Sequence, residues 1–290
     1  MIQPSTFSIV AYSADEEACG VAVASKFPAV GALVPWAQSG VGAVATQSYA
    51  NVSFGPSGLE LMAGGLQAQE TIDQLLKDDE EAHLRQIGVV DAVGGATTFT
   101  GEGCFDWAGG IKGKSFAIQG NILAGPQVVE AMASAFQEAE GDLPGRLLAA
   151  LMAGDRAGGD KRGRQSAALL VVKPEGGYGG YTDRWIDYRV DDHDDPVLKL
   201  SELLEMHYLY FGASEEEDRL PMEGDIAKEL QRIMITHKYY SGEAHGELDE
   251  STREALRRFI GNENFEDRTD VDSGVIDRPV YKYLVKRFGS

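Results

Sequence analysis

The chain has 290 residues, 43% hydrophobic and 9% aromatic, enough for a sizeable core, which excludes a disordered chain. Acidic residues outnumber basic ones by 46 to 26, giving a formal charge of −20, so a nucleic-acid partner would be repelled. Two cysteines cannot build a disulfide framework, no apolar run is long enough to span a membrane, and the start MIQPSTFSIVAYSADEE lacks the regions of a secretion signal. A cytoplasmic protein without a membrane contact is expected.

In chain order, residues 6–12 alternate as a first strand, residues 14–17 turn, and a strand from Val21 returns as a hairpin. Residues 20–58 hold one Lys, no acid and many small side chains, a composition that suits buried backbone packed closely or approaching a ligand. Residues 41–46 read as a second core strand beside the one at Val21. Its end turns polar through Thr46, Gln47, Ser48, Tyr49, Asn51 and Ser53, which suits an active-site rim and a capped loop equally. Ser57-Gly58 is expected to cap a short helix through Leu59, Leu61 and Met62, and a second helix turns Ile72, Leu75 and Leu76 inward. Strands at 87–91, 96–100 and 115–119 are expected to form a second sheet.

Two more helices follow at 126–138 and 143–152, then a basic Gly-rich loop at 155–166, strands at 167–172 and 185–190, and a helix from Asp195-Pro196 to about Tyr210. Helices and strands segregated in this way imply an α+β layered fold rather than βαβ units. The acidic link 213–218 separates two domains, 1–212 and 213–290. In the second, Ile226, Leu230, Ile233 and Met234 form one helical stripe, residues 252–259 another with Asp249 as cap, and residues 280–285 a third. A compact, all-α three-helix module is expected.

The strings AVASKFPAVGALVPWAQSGVGAVATQSYANVSFGPSGLELM, GDKRGRQSAALLVV and DYRVDDHDDP, in that order, resemble the family catalogued as domain of unknown function 1028. The resemblance covers residues 6 to 211 and implies an N-terminal-nucleophile (Ntn) hydrolase-like fold, a four-layer αββα sandwich. The tail, with YYSGEAHGELDESTREALRRFIG, is similar to peptidoglycan-binding modules in which a Gly-x-hydrophobic-Asp turn precedes a Thr-Arg-x-Ala-Leu helix.

In Ntn hydrolases the first residue of the mature chain attacks an amide while its own α-amine, with a pKa of ~8, takes the proton. Thr6 occupies the matching position, behind a five-residue extension that leaves it without a free amine unless the chain is cleaved before it or truly starts nearer to it; otherwise it is an ordinary strand Thr. Lys26, the single cation of the opening stretch, either stabilises negative charge near Thr6 or snorkels at the sheet edge. Gln47, Ser48 and Asn51 are candidates for an oxyanion hole. Arg162, Arg164, Gln165 and Ser166 sit on a loop whose guanidinium forks suit an acidic small substrate, or pair internally with Asp155, Asp160 or Asp191-Asp192. Asp191, Asp192 and His193 are weak candidates for a metal, because successive strand residues alternate faces, and helix capping by Asp195 explains that cluster at less cost. No cofactor is expected.

The resemblance thus implies an amidohydrolase acting on a small amide, and the loop at 162–166 suits an acidic one. The alternative is a binding or scaffold protein whose tail grips a glycan or peptide. A homo-oligomer is expected, with the tail as one possible dimer contact.

Overall fold

A computed structural model describes residues 6–289. The five residues before Thr6 lie outside the described residues. The chain divides into two compact units, Met1–Leu204 and Glu205–Ser290.

The first unit opens with β1 (Thr6–Ser13) and β2 (Ala18–Ser25), paired as the expected hairpin. There follow β3 (Pro35–Gln38), β4 (Gly42–Ser48), α1 (Phe54–Ala63), α2 (Ala68–Leu76), β5 (Arg85–Asp91), β6 (Ala96–Thr100), β7 (Gly109–Gly113) and β8 (Phe116–Asn121). Then come α3 (Gln127–Glu138), α4 (Leu143–Arg156), β9 (Ser166–Val172), β10 (Arg184–Val190) and α5 (Pro196–Phe211), within which the division between the units falls. Ten strands make two antiparallel sheets, ordered β10-β9-β2-β1-β8-β7 and β3-β4-β5-β6.

Side-chain alternation explains the packing. Phe7 on β1 meets Gly154 of α4, while its neighbours Thr6, Ser8 and Val10 point the other way, toward the four-stranded sheet. The sheets face one another, with β1 against β4 and β5 against β8. Helices α3 and α4 pack on the six-stranded sheet, and α1 and α2 on the four-stranded one. Between the latter pair and their sheet lie Val44, Phe54, Leu59, Ile72, Ile87 and Val89. The start of α4 follows ordinary capping: the Asp142 carboxylate accepts the Gly145 N–H at 3.0 Å with Pro144 in the first turn.

Four expectations need correction. Residues 41–46 are not beside the Val21 strand: β4 lies in the opposing sheet, across the interior from β2. The 115–119 strand joins β1 rather than β5 and β6. Alternation fixes which face a residue takes but not which sheet receives the strand. Helix α1 starts at Phe54, upstream of Ser57, because Pro56 is tolerated in a first turn whose N–H groups have no intrahelical partner. Strands β3 and β7, rich in Pro, Gly and Lys, carry no apolar alternation and were not expected.

The second unit contains β11 (Arg219–Pro221), α6 (Gly224–Thr236), α7 (Glu250–Glu263), β12 (Thr269–Asp270), β13 (Val275–Asp277) and α8 (Arg278–Phe288). The three expected helices surround Leu230, Ile233, Met234, Leu256, Phe259 and Leu284, and the Asp249 carboxylate accepts the Thr252 N–H at 2.8 Å as the cap of α7. This unit is not all-α, however. A three-stranded antiparallel sheet, β11-β13-β12, accompanies the helices. Its strands are two or three residues long, too short to leave a period in the sequence. The buried Arg268–Asp277 ion pair, Nε to Oδ2 2.5 Å, fixes the sheet to the end of α5, because Arg268 also donates to the Tyr208 and Leu209 carbonyls. Among the described residues no helix is long and apolar enough to cross a membrane.

Candidate functional site

Each strand facing the intersheet space changes character along its length. At one end the inward residues are Val10, Val21, Val23, Ala43, Ala45, Val90, Ala117 and Ala168. At the other, the same faces carry hydroxyls and amides. Backbone register aligns Ser166, Ser25, Thr6 and Asn121 in one rung across β9, β2, β1 and β8. Opposite it, Gln47, Gln86 and Thr100 align across β4, β5 and β6. All but Thr100 are buried, and Gln86 and Ser166 are wholly inaccessible.

Side-chain amides join the two rungs. Gln47 Nε2 donates to the Thr6 carbonyl at 3.2 Å and to Gln86 Oε1 at 2.8 Å, and Gln47 Oε1 accepts from Ser8 Oγ at 2.6 Å. Gln86 Nε2 donates to Thr100 Oγ1 at 2.9 Å and the Gly120 carbonyl at 2.8 Å, and its Oε1 accepts from Asn121 Nδ2 at 2.9 Å. Gln119 Nε2 donates to Ser8 Oγ at 2.6 Å. Glycine at position 88 is required here, since a Cβ would stand 2.1 Å from Gln119 Oε1. Buried polar groups at this density pair with one another, all but Gln119 Oε1, which has no partner among the described residues, and the paired members are held in one arrangement.

Thr6 Oγ1 donates to Ser25 Oγ at 3.2 Å. Ser25 in turn lines a cavity of about 500 Å³, together with Phe7, Asp155, Asp160, Arg164 and Val197. The Thr6 hydroxyl therefore lies one hydrogen bond from a pocket of ligand-binding size.

Of the remaining candidates, Lys26, Arg162, Arg164 and Ser166 gather around that cavity. The Lys26 backbone N–H donates to Asp160 at 2.7 Å and its ammonium to the Arg164 carbonyl at 3.1 Å. Arg162 pairs with Asp160, and Arg164 grips Asp155 through two bonds of 2.8 and 2.7 Å, which hold its guanidinium pKa above the ordinary value. These forks thus serve internal carboxylates. Ser166 Oγ donates to the Phe27 carbonyl and accepts the Val30 N–H, fixing the turn after β2.

The expected oxyanion group does not converge. Asn51 Oδ1 accepts from the Ser53 hydroxyl and N–H on its own loop, and Ser48 bonds Cys104, whose thiol pKa burial pushes up. The Gln47 amide is occupied in orienting Thr6. Gln165 donates to Asp192 at 3.1 Å, and His193 Nδ1 accepts the Asp195 N–H at 2.9 Å. Asp191, Asp192 and His193 form no ligand set, and no group of three His, Cys, Asp or Glu among the described residues is placed to hold a metal.

Sequence reasoning missed Ser25, Gln86, Gln119 and Asn121. A signal existed: each is a polar residue near one end of its strand, Gln86 at the start of β5 and the others toward the ends of β2 and β8. Their common end emerges only from pairing register.

The model for the family of unknown function DUF1028 matches residues 6–200, and the chain belongs to that family. A second model, described as "Putative peptidoglycan binding domain", matches residues 210–284. Among solved structures the chain is similar to protein SPO2555 from Silicibacter pomeroyi, described as a DUF1028 protein. The two share 28% identity and a TM-score of 0.65 over 77% of this chain and 89% of that one. A search of curated proteins finds no match.

Proposed function

We propose that the first unit is an Ntn-type amidohydrolase, its facing sheets and outer helices forming the αββα sandwich of that class, with Thr6 as nucleophile. A working division at 212/213, just past the end of α5 at Phe211, keeps that helix whole with the first domain. The observation that carries the reading is the Thr6–Ser25 hydrogen bond, which ties the hydroxyl at the start of β1 to the wall of the cavity.

Cleavage before Thr6 would convert its amide nitrogen into an amine of pKa ~8, a usable base beside its own hydroxyl. The amine takes the hydroxyl proton as Oγ1 attacks the amide carbonyl, then returns it to the leaving nitrogen. Water hydrolyses the resulting ester and restores the hydroxyl. Gln47 positions the nucleophile by holding the Thr6 carbonyl. Thr6→Ala should lower hydrolysis by a factor on the order of 10⁴ or more without unfolding the protein. Unchanged turnover in that variant would end this reading.

A second reading is favoured by the burial of Thr6, 1% exposed: a sandwich kept for structure, with binding carried by the tail. The match at 210–284 supports a glycan or peptide ligand there. Retention on peptidoglycan that disappears when residues 213–290 are removed, from a protein that hydrolyses no amide, would favour this second reading.

A further inference from the structure

Five charged side chains line the cavity beside Ser25: Asp155, Arg156, Asp160, Arg164 and Asp194. Three are neutralised within the protein, Arg164 and Asp155 by each other and Asp160 by Arg162. The other two are not. Neither the Arg156 guanidinium nor the Asp194 carboxylate makes a hydrogen bond or ion pair with a described residue, and both are exposed at the cavity. One such cation and one such anion in the lining of the same cavity constrain the ligand. A simple anion would meet Arg156 but be opposed by Asp194 and by a protein of formal charge −20. A simple cation would leave Arg156 unmatched. A ligand bearing both charges satisfies both groups.

We infer that the cavity binds a small zwitterion with a free α-ammonium and a free carboxylate, of dipeptide size, its carboxylate on Arg156 and its ammonium on Asp194. The inference rests on the amidohydrolase reading for placing the scissile amide near Ser25. Size agrees with it: two extended residues span at most about 7 Å, and about 500 Å³ is within the range of small-ligand pockets. It also revises the substrate from acidic to zwitterionic, because Arg162 and Arg164 are already matched inside the protein.

The test is a binding cycle on full-length Thr6→Ala protein, where turnover cannot deplete the ligand. The probes are free dipeptides with small, acidic, basic and aromatic side chains, each also N-acetylated and C-amidated, titrated by calorimetry. At least one free dipeptide should bind, and either block should weaken it by about two- to fivefold, the effect of one partly exposed charge contact. Acetylation should cease to matter in Asp194→Asn, and amidation should cease to matter in Arg156→Gln; both positions are exposed, so folding is retained. Blocked probes that bind as well as free ones, effects insensitive to these substitutions, or no binding by any free dipeptide would overturn the inference. Binding that follows the cycle in a protein inactive even with Thr6 intact would retain the zwitterion site and remove the nucleophile.

Discussion

The two ends of the intersheet space share strands and hydrogen-bonding ladders but differ in what fills them. At the Val10 end, Val21, Ala43, Val90 and Ala117 pack without a polar atom, and small size lets the sheets approach. At the Thr6 end, four amide side chains and several hydroxyls occupy equivalent positions in the same register. The difference shows that folding alone does not explain the polar end, since the apolar half closes the same sheets with valine and alanine. Desolvating amides costs free energy that hydrogen bonds only offset, so retaining so many in one place fits a structure that fixes particular atoms. Those atoms include the Thr6 carbonyl and, through Ser25, its hydroxyl.

Converting the polar end toward the apolar one is the strongest way to test this contrast. Gln86→Leu removes one hydrogen-bond partner each from the Gly120 carbonyl and from the Gln47 and Asn121 amides. We expect a loss of about 3 kcal/mol in chemical denaturation, because weakening several buried polar groups at once costs roughly 1–3 kcal/mol for each that is left unmatched, and relaxation recovers part. A neutral result would mean that the polar end is no more constrained than the apolar one.

A smaller effect sharpens the border of the polar end. Arg85, next to Gln86 on β5, donates to the Tyr49 carbonyl and pairs with Asp79, and both charged side chains are largely buried. The hydrogen bond from Arg85, ahead of all other causes, holds the Asp79 carboxyl below its ordinary value. A carboxylate lowered in the folded state contributes its stability above the unfolded pKa, about 3.9, and loses it as pH falls through the folded one. Stability should therefore fall on acidification below about pH 4, and Asp79→Asn should remove that part of the slope while lowering stability at neutral pH. An unchanged slope in Asp79→Asn would show that the pair does not anchor the Tyr49 loop.

Much of the layering was legible from sequence, because the helices at 72–76 and 126–152 and the strands at 6–12, 87–91 and 167–172 carry clear periods. Thr6 was legible as a candidate only through the family resemblance, whose nucleophile position it matches, and Gln47 because it stands at a strand end. Sheet membership was not legible, since nothing local in Ala117 or Gln119 states whether β1 or β5 is its neighbour. The partners of Arg162 and Arg164 were among the alternatives the loop offered, but only folding decides between an internal Asp and a ligand. Ser25 carries no local signal of its own; its role depends on lying opposite Thr6 in the hairpin register.

The central claim is that Thr6 works with a free amine. Intact-mass measurement of protein purified in an amide-hydrolysing state tests it most directly. A mass lacking the first five residues, with Thr6 as the new amino terminus, is the predicted result; active protein that retains all five would contradict it.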